Sequence, residues 1–283
     1  MIYYKAFHKG MICNGKQYRE NADFEEQGAE SCCKAGMMHF CKDPFDVLNY
    51  YPLVDENGEF SEFATVEPLD EVVEREDKCA SKKIHIGAKL SFKDFIKAAV
   101  DIMVEKTKGK GSEYYSGDRA QIGSSGYRAK IGSSGYGAQI GSSGDRAQIG
   151  SSGYGAQIGS SGYGAKIGSS GDGAQIGSSG YRAQIGSSGD WAQIGSSGDG
   201  AQIGSSGYGA KIKMQGERSV ASCVGNDCAI AGKMGCWIVL AEWKIVDEKY
   251  TPVCVKAAQI DGKTLKADTF YKLVNGEFVE VKE

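Results

Sequence analysis

The residue types that most readily do chemistry sit in two places along this chain. The first is a short run in which Cys32, Cys33, His39 and Cys41 fall within ten residues. Imidazole and thiolate are the usual ligands of zinc, so Cys32, His39 and Cys41 are the candidates for a metal site. The paired Cys-x-x-Cys units of standard fingers are absent, and that spacing favours buried reduced thiols beside a surface histidine. His8, His39 and His85 are the three histidines. No serine nucleophile elbow, phosphate loop or paired-carboxylate signature accompanies them, so no cofactor and no catalytic residue is assigned.

The second place is a column in a tandem repeat. Every nine residues from Asp118 onward the same slot holds an acid or a phenol: Asp118, Asp145, Asp172, Asp190 and Asp199 share it with Tyr127, Tyr136, Tyr154, Tyr163, Tyr181 and Tyr208, and Trp191 lies beside it. Calcium-binding nonapeptides need an aspartate in nearly every unit, and this alternation is too irregular for that. A row of aromatic side chains at fixed spacing suits a sugar or a protein partner. The competing role for the tyrosines is to stack and steady neighbouring coils. The Ser124-Ser125 type pairs with the Gln column could present a flat ice-binding face, but Lys130, Lys166 and Lys211 interrupt it and no threonine ladder exists.

The element that must position this column is the repeat itself. Eleven units carry an Ala-x-Ile core, from Ala120 to Ile212, separated by ten Gly-Ser-Ser-Gly segments. Ala and Ile are two apart, so they share one face of a short strand while the Gln or Lys between them points away. The glycines of the GSSG segment can take positive φ and turn the chain. Two units then make an 18-residue coil of strand, turn, strand, turn, with a thin dry interior of Ala and Ile from two facing sheets. Reading the spacing onward, Ser219, Cys228 and Trp237 fall in the alanine slot and Ala221, Ile230 and Val239 in the isoleucine slot. Residues 216–239 are therefore expected to end the stack as three degenerate units, with Trp237 plugging it.

The flanks read differently. Residues 1–110 are expected to form an α+β domain, with strands at Ile2–Phe7, Glu62–Val66 and Lys83–Ile86 and a short helix at Asp46–Tyr51. Ser91 caps a helix over Phe92–Lys106, whose Phe95, Ile96, Ala99, Ile102 and Met103 recur at helical spacing. A linker follows at 111–117, then the solenoid at 118–240 and a small C-terminal β domain at 241–283. That last part carries strands at Pro252–Ala257, Thr269–Val274 and Phe278–Val281, with Asn275-Gly276 as a hairpin turn. The fold class is mainly β: a two-sided β-solenoid of 18-residue coils between an α+β domain and a small β domain.

Composition narrows the function classes. There are 41 glycines but only 4 prolines among 283 residues, which excludes collagen. Residues 1–117 hold 16 basic against 21 acidic side chains, 118–212 hold 7 against 5, and 213–283 balance at 10 each. No segment is basic enough for a nucleic-acid surface. The opening MIYYKAFHKG lacks the apolar core of a signal peptide, and no apolar run is long enough to span a bilayer. Nine cysteines without an export signal point to reduced thiols in a cytoplasm.

The segments YYKAF, GKQY, HFCKDPFDVLNYYP and SEFATVE, with the IGSSG repeats and the terminal YKLVNGEFVEV, resemble a group of bacteriophage, prophage and gut-Firmicute proteins to which no activity is attached. The resemblance covers nearly the whole chain and implies a phage-related origin, in the host cytoplasm or the virion. More loosely, the order Tyr-x-x-Phe, then HF-x-x-x-P and YY, then a strand, is similar to ADP-ribosyltransferase-like domains. Those bind NAD through an early Arg or His, a central Ser or Tyr and a late Glu, a triad this sequence does not display.

Two functions follow as expectations. One is a non-catalytic interaction protein whose solenoid is a spacer or multivalent surface for a protein or glycan, with Tyr127, Tyr136, Tyr154, Tyr163, Tyr181, Trp191 and Tyr208 as binding residues, no membrane or nucleic-acid partner, and oligomerisation open. The other is a nucleotide-acting enzyme in 1–110 that the solenoid targets.

Overall fold

The computed structural model describes residues 2–27, 36–55, 59–107, 114–115 and 117–281. Cys32, Cys33 and most of the expected linker at 111–117 lie outside them. The chain divides into two compact units, Met1–Ala99 and Val100–Glu283.

The first unit is α+β. Four antiparallel strands run in the order Tyr3–Phe7, Glu62–Pro68, Lys83–Leu90, Ala22–Glu25, and a three-stranded sheet is ordered Met38–Phe40, Lys78–Ser81, Val73–Arg75. Phe7, Phe40, Ile84 and Ile86 are fully enclosed, and each such side chain contributes roughly 1.5–3 kcal/mol by leaving water. Pro44 fixes the entry to a tight helical turn at Phe45–Asn49. The α-helix, α1, spans Phe92–Thr107. Its cap is the expected one: the Asp94 backbone N–H donates to Ser91 Oγ at 3.2 Å, and that hydroxyl donates to the Asp94 carboxylate at 2.6 Å. Within the first unit Phe95 stacks on Phe63 with ring centroids 3.7 Å apart.

The second unit is the solenoid, about seven coils of about 18 residues. Alternate nonapeptides go to opposite sides. One sheet begins Gln121–Ser124, Gln139–Ser142, Gln157–Ser160; the other runs through Lys130–Ser133, Gln148–Ser151, Lys166–Ser169. Every pairing is parallel and in register, Ile140 on Ile158 and Ile149 on Ile167, so like sits on like one coil apart. The alanine and isoleucine columns are buried from coil to coil, as the period-two reading requires.

The structure corrects the turn chemistry. The GSSG glycines do not take the positive φ. It falls on the residue before each alanine, which is Gly at 137, 155, 164, 173, 200 and 209 but Arg at 119, 128, 146 and 182 and Trp at 191. A non-glycine residue there costs about 1–2 kcal/mol of backbone strain. Each left-handed residue sends its N–H to the carbonyl of the next coil, as Arg128 does to Asp145 at 2.9 Å and Gly137 to Tyr154 at 2.8 Å. The turn glycine is required for another reason. A Cβ on Gly144 would run into the carbonyl oxygen of Gly126, and one on Gly153 into that of Gly135, the equivalent glycines one coil earlier. The turns stack too closely for any side chain.

The far end also departs from expectation. The last unit is one residue short, so Cys236 takes the alanine slot and Ile238 pairs with Ala221 in the isoleucine column. Trp237 falls in the Gln column and is 46% exposed; it is no plug. The end is closed by a switch to antiparallel pairing. Trp237–Val246 pairs with Lys249–Gln259 on one sheet, and Ala229–Ala231 with Tyr271–Val274 and then Glu277–Glu280 on the other. Both sheets thus continue into residues 241–281, with Leu240, Ile260, Leu265 and Tyr271 filling the interior. Asn275 and Gly276, at φ of 50° and 72°, make the hairpin turn.

Gly144→Ala is expected to lower stability by about 1–3 kcal/mol, because two coils must separate to admit a methyl group. Gly168→Ala meets open space and is expected to change it by less than about 0.5 kcal/mol. Chemical denaturation of the two variants checks the contrast.

Candidate functional site

The Asp/Tyr column forms two ladders, one at each turn edge, because successive units alternate. Asp118, Tyr136, Tyr154, Asp172, Asp190 and Tyr208 follow one another at coil spacing; Tyr127, Asp145, Tyr163, Tyr181 and Asp199 make the second ladder. The aspartates have a structural task that the sequence did not disclose. The carboxylate of Asp145 accepts the Tyr163 backbone N–H at 2.8 Å, Asp172 that of Asp190 at 2.8 Å, Asp190 that of Tyr208 at 2.7 Å and Asp199 that of Glu217 at 2.8 Å. Each fastens its own coil to the next. Among the described residues no group of three metal-ligating side chains gathers.

The aromatic residues do come together. Tyr136 and Tyr154 stack at 5.5 Å and 7°, Tyr163 and Tyr181 at 5.8 Å and 23°, and Trp191 meets Tyr208 edge-on at 4.9 Å. Arginines interleave with them. Arg146 donates to the Tyr127 hydroxyl at 3.2 Å, and the Arg128 and Arg182 guanidinium groups lie 5.1 Å from the Tyr127 and Tyr181 ring centroids. The rings steady one another and still offer surface: Tyr127, Tyr136, Tyr154 and Trp191 are each more than half exposed.

The faces between the edges differ, although their sequences are nearly identical. On the sheet that runs through Lys130–Ser133, the side chains of Lys130, Gln148, Lys166, Gln184 and Gln202 are exposed. On the sheet that starts at Gln121, Gln139 and Gln157 are buried, and their amides run as a ladder in which Gln121 donates to Gln139 at 3.0 Å and Gln139 to Gln157 at 3.3 Å. The Gln/Lys column thus faces away from the Ala and Ile interior as expected, but on this second sheet Gln139 and Gln157 are covered, Gln175 and Gln193 half-buried and Gln121 exposed. The serine pairs divide too. The first of each pair faces inward and is buried, from Ser133 to Ser205. The interior is thus not only Ala and Ile, and a flat face of paired serines does not form. Among these inner serines the hydroxyls of Ser160, Ser169, Ser178, Ser187 and Ser196 make no hydrogen bond.

In the first unit the structure brings together residues that sequence spacing did not connect. A cavity of roughly 360 Å³ is lined by Lys5, His8, Cys13, His39, Cys41, Tyr50, Tyr51 and Lys78, among others. Lys5 is buried; its ammonium donates to the His39 carbonyl at 2.8 Å and lies 5.3 Å from the Tyr18 ring centroid. Desolvation pulls its pKa below the usual lysine value, and burial likewise pushes the Cys41 thiol up and the His39 imidazole down. Tyr51 donates to Cys13 Sγ at 3.0 Å. His39, in the strand Met38–Phe40, and Cys41, just after it and bridged to Tyr4, thus line this cavity, and His85 is elsewhere, paired with Asp23 at 2.6 Å. The signal in the sequence was the isolated lysine within the otherwise apolar YYKAF strand.

Residues 1–98 match the model of a family described as a domain of unknown function, DUF7666. No curated protein and no solved structure matches the chain. Among the described residues no helix is long and apolar enough to cross a membrane.

Replacing an orphaned inner serine removes a buried hydroxyl that costs about 1–3 kcal/mol unpaired. Ser178→Ala is expected to raise the melting temperature. A fall in melting temperature on calorimetry would show that this hydroxyl has a partner.

Proposed function

We propose that this chain is a non-catalytic interaction protein of phage origin. Its solenoid is a stiff spacer and multivalent surface for a protein or glycan, in the host cytoplasm or in the virion. The observation that carries the reading is the pair of edge ladders. Rings at coil spacing, held by stacking and by arginine, are already ordered before a ligand arrives. Ordering a rotamer-rich side chain on binding costs about 0.5–1.5 kcal/mol, so preordered aromatic rings favour affinity. The fixed coil spacing makes neighbouring sites act together. A second reading, an enzyme acting on a nucleotide through residues 1–110, is favoured by the cavity around Lys5, whose lysines and histidines suit an anionic ligand. Calorimetric titration of the full chain with NAD tests it, and tight binding would move the weight there.

The triple variant Tyr136→Ser, Tyr154→Ser, Tyr208→Ser is expected to lose, by about tenfold or more, a glycan-array or host-lysate partner that the unaltered chain retains. An unchanged set of partners would remove the aromatic edge from the account.

A further inference from the structure

The strand glycines lie in the middle of each sheet's outer face. On one side Gly123 and Gly141 of this column are covered by the chain itself. A Cβ on Gly141 would stand 2.9 Å from the Met103 Cβ and 3.3 Å from the Val100 Cα, and one on Gly123 would stand 2.6 Å from the Met103 carbonyl oxygen. The C-terminal half of α1 therefore lies with its backbone against bare glycine, and any side chain there would lift it off. On the opposite side the same column passes Gly150, Gly168, Gly186 and Gly204, and a Cβ on any of them would meet nothing within 4 Å. There the column lies in an open groove of roughly 1150 Å³, bordered by Lys130, Gln148, Lys166, Gln184 and Gln202.

We propose that this open groove receives an amphipathic helix of a partner protein, seated on the glycine column as α1 is seated on the other sheet. The internal precedent supplies the chemistry of the occupant. It carries a Val-x-x-Met-type apolar line that sits over glycine. From Gly132 to Ser222 the groove crosses six coils, roughly 24 Å at about 4.8 Å per step, the length of about 16 helical residues at about 1.5 Å each. The charge narrows it further. The border holds Lys130 and Lys166 and no acid, so the occupant has acidic residues beside its apolar line, as α1 has Asp101 and Glu105 beside Val100 and Met103. The groove lies on a sheet face and the aromatic ladders on the turn edges, so this proposal and the preceding one fail separately.

The probe is a helix-stapled peptide of α1, residues 92–107, with a fluorescent label, titrated into the full chain. Saturable binding is expected. Gly168→Leu with Gly186→Leu, which fills the groove, is expected to weaken it at least tenfold without lowering the melting temperature, and Lys166→Glu to weaken it severalfold in low salt. The Tyr136→Ser, Tyr154→Ser, Tyr208→Ser variant is expected to bind as the unaltered chain does. Absence of saturable binding, or equal binding by the groove-filled variant, overturns the proposal. So does self-association of the unaltered chain that the leucine pair abolishes, since the occupant would then be a second copy.

Discussion

The close approach of one turn to the next governs this molecule. From Gly135 onward each turn glycine stands against the carbonyl of the glycine one coil before it, with no room for a Cβ. The parallel hydrogen-bonded ladders fix the coil spacing, and the turns tolerate that spacing only because these positions are glycine. The isoleucine and alanine columns close over each other, the glutamine amides can reach along one face, and an aspartate carboxylate on an edge meets the backbone N–H above it. Identical residues stack because identical geometry is the only one that repeats.

A second consequence is that chemically equal surfaces acquire different environments. Nonapeptides of one sequence alternate between two sheets. On one of them Gly123 and Gly141 lie under the C-terminal half of α1 and Gln139 and Gln157 are buried; on the other Gly150, Gly168, Gly186 and Gly204 and the Gln and Lys side chains are open. The difference is not written in the repeat. At Gly123 and Gly141 it comes from Val100, Met103 and Thr107, residues outside the repeat.

This explains what was legible in the sequence. The Ala-x-Ile spacing established the strand, its inward face and the 18-residue coil, since period-two burial depends only on local pattern. Ser91 and the apolar line from Phe95 to Met103 marked α1, and Asn275-Gly276 marked the hairpin. The left-handed position went unread because Arg and Trp occupy it as well as Gly, at a backbone strain the inter-coil hydrogen bonds offset. Trp237 was misplaced because the final unit is a residue short, and a one-residue slip carries a side chain to the opposite face. The cavity around Lys5 needed strands and a turn far apart in the chain, which spacing cannot reveal.

Neighbouring identical units face opposite ways and meet different surroundings. Gln148→Cys and Gln157→Cys place a thiol at the same point of two repeats nine residues apart, with Lys166→Cys as the next on the open side. Maleimide labelling of the native protein, read by peptide mass spectrometry, measures the result directly. Fast modification at 148 and 166 with protection at 157 is the predicted pattern. Equal rates at all three positions would contradict it.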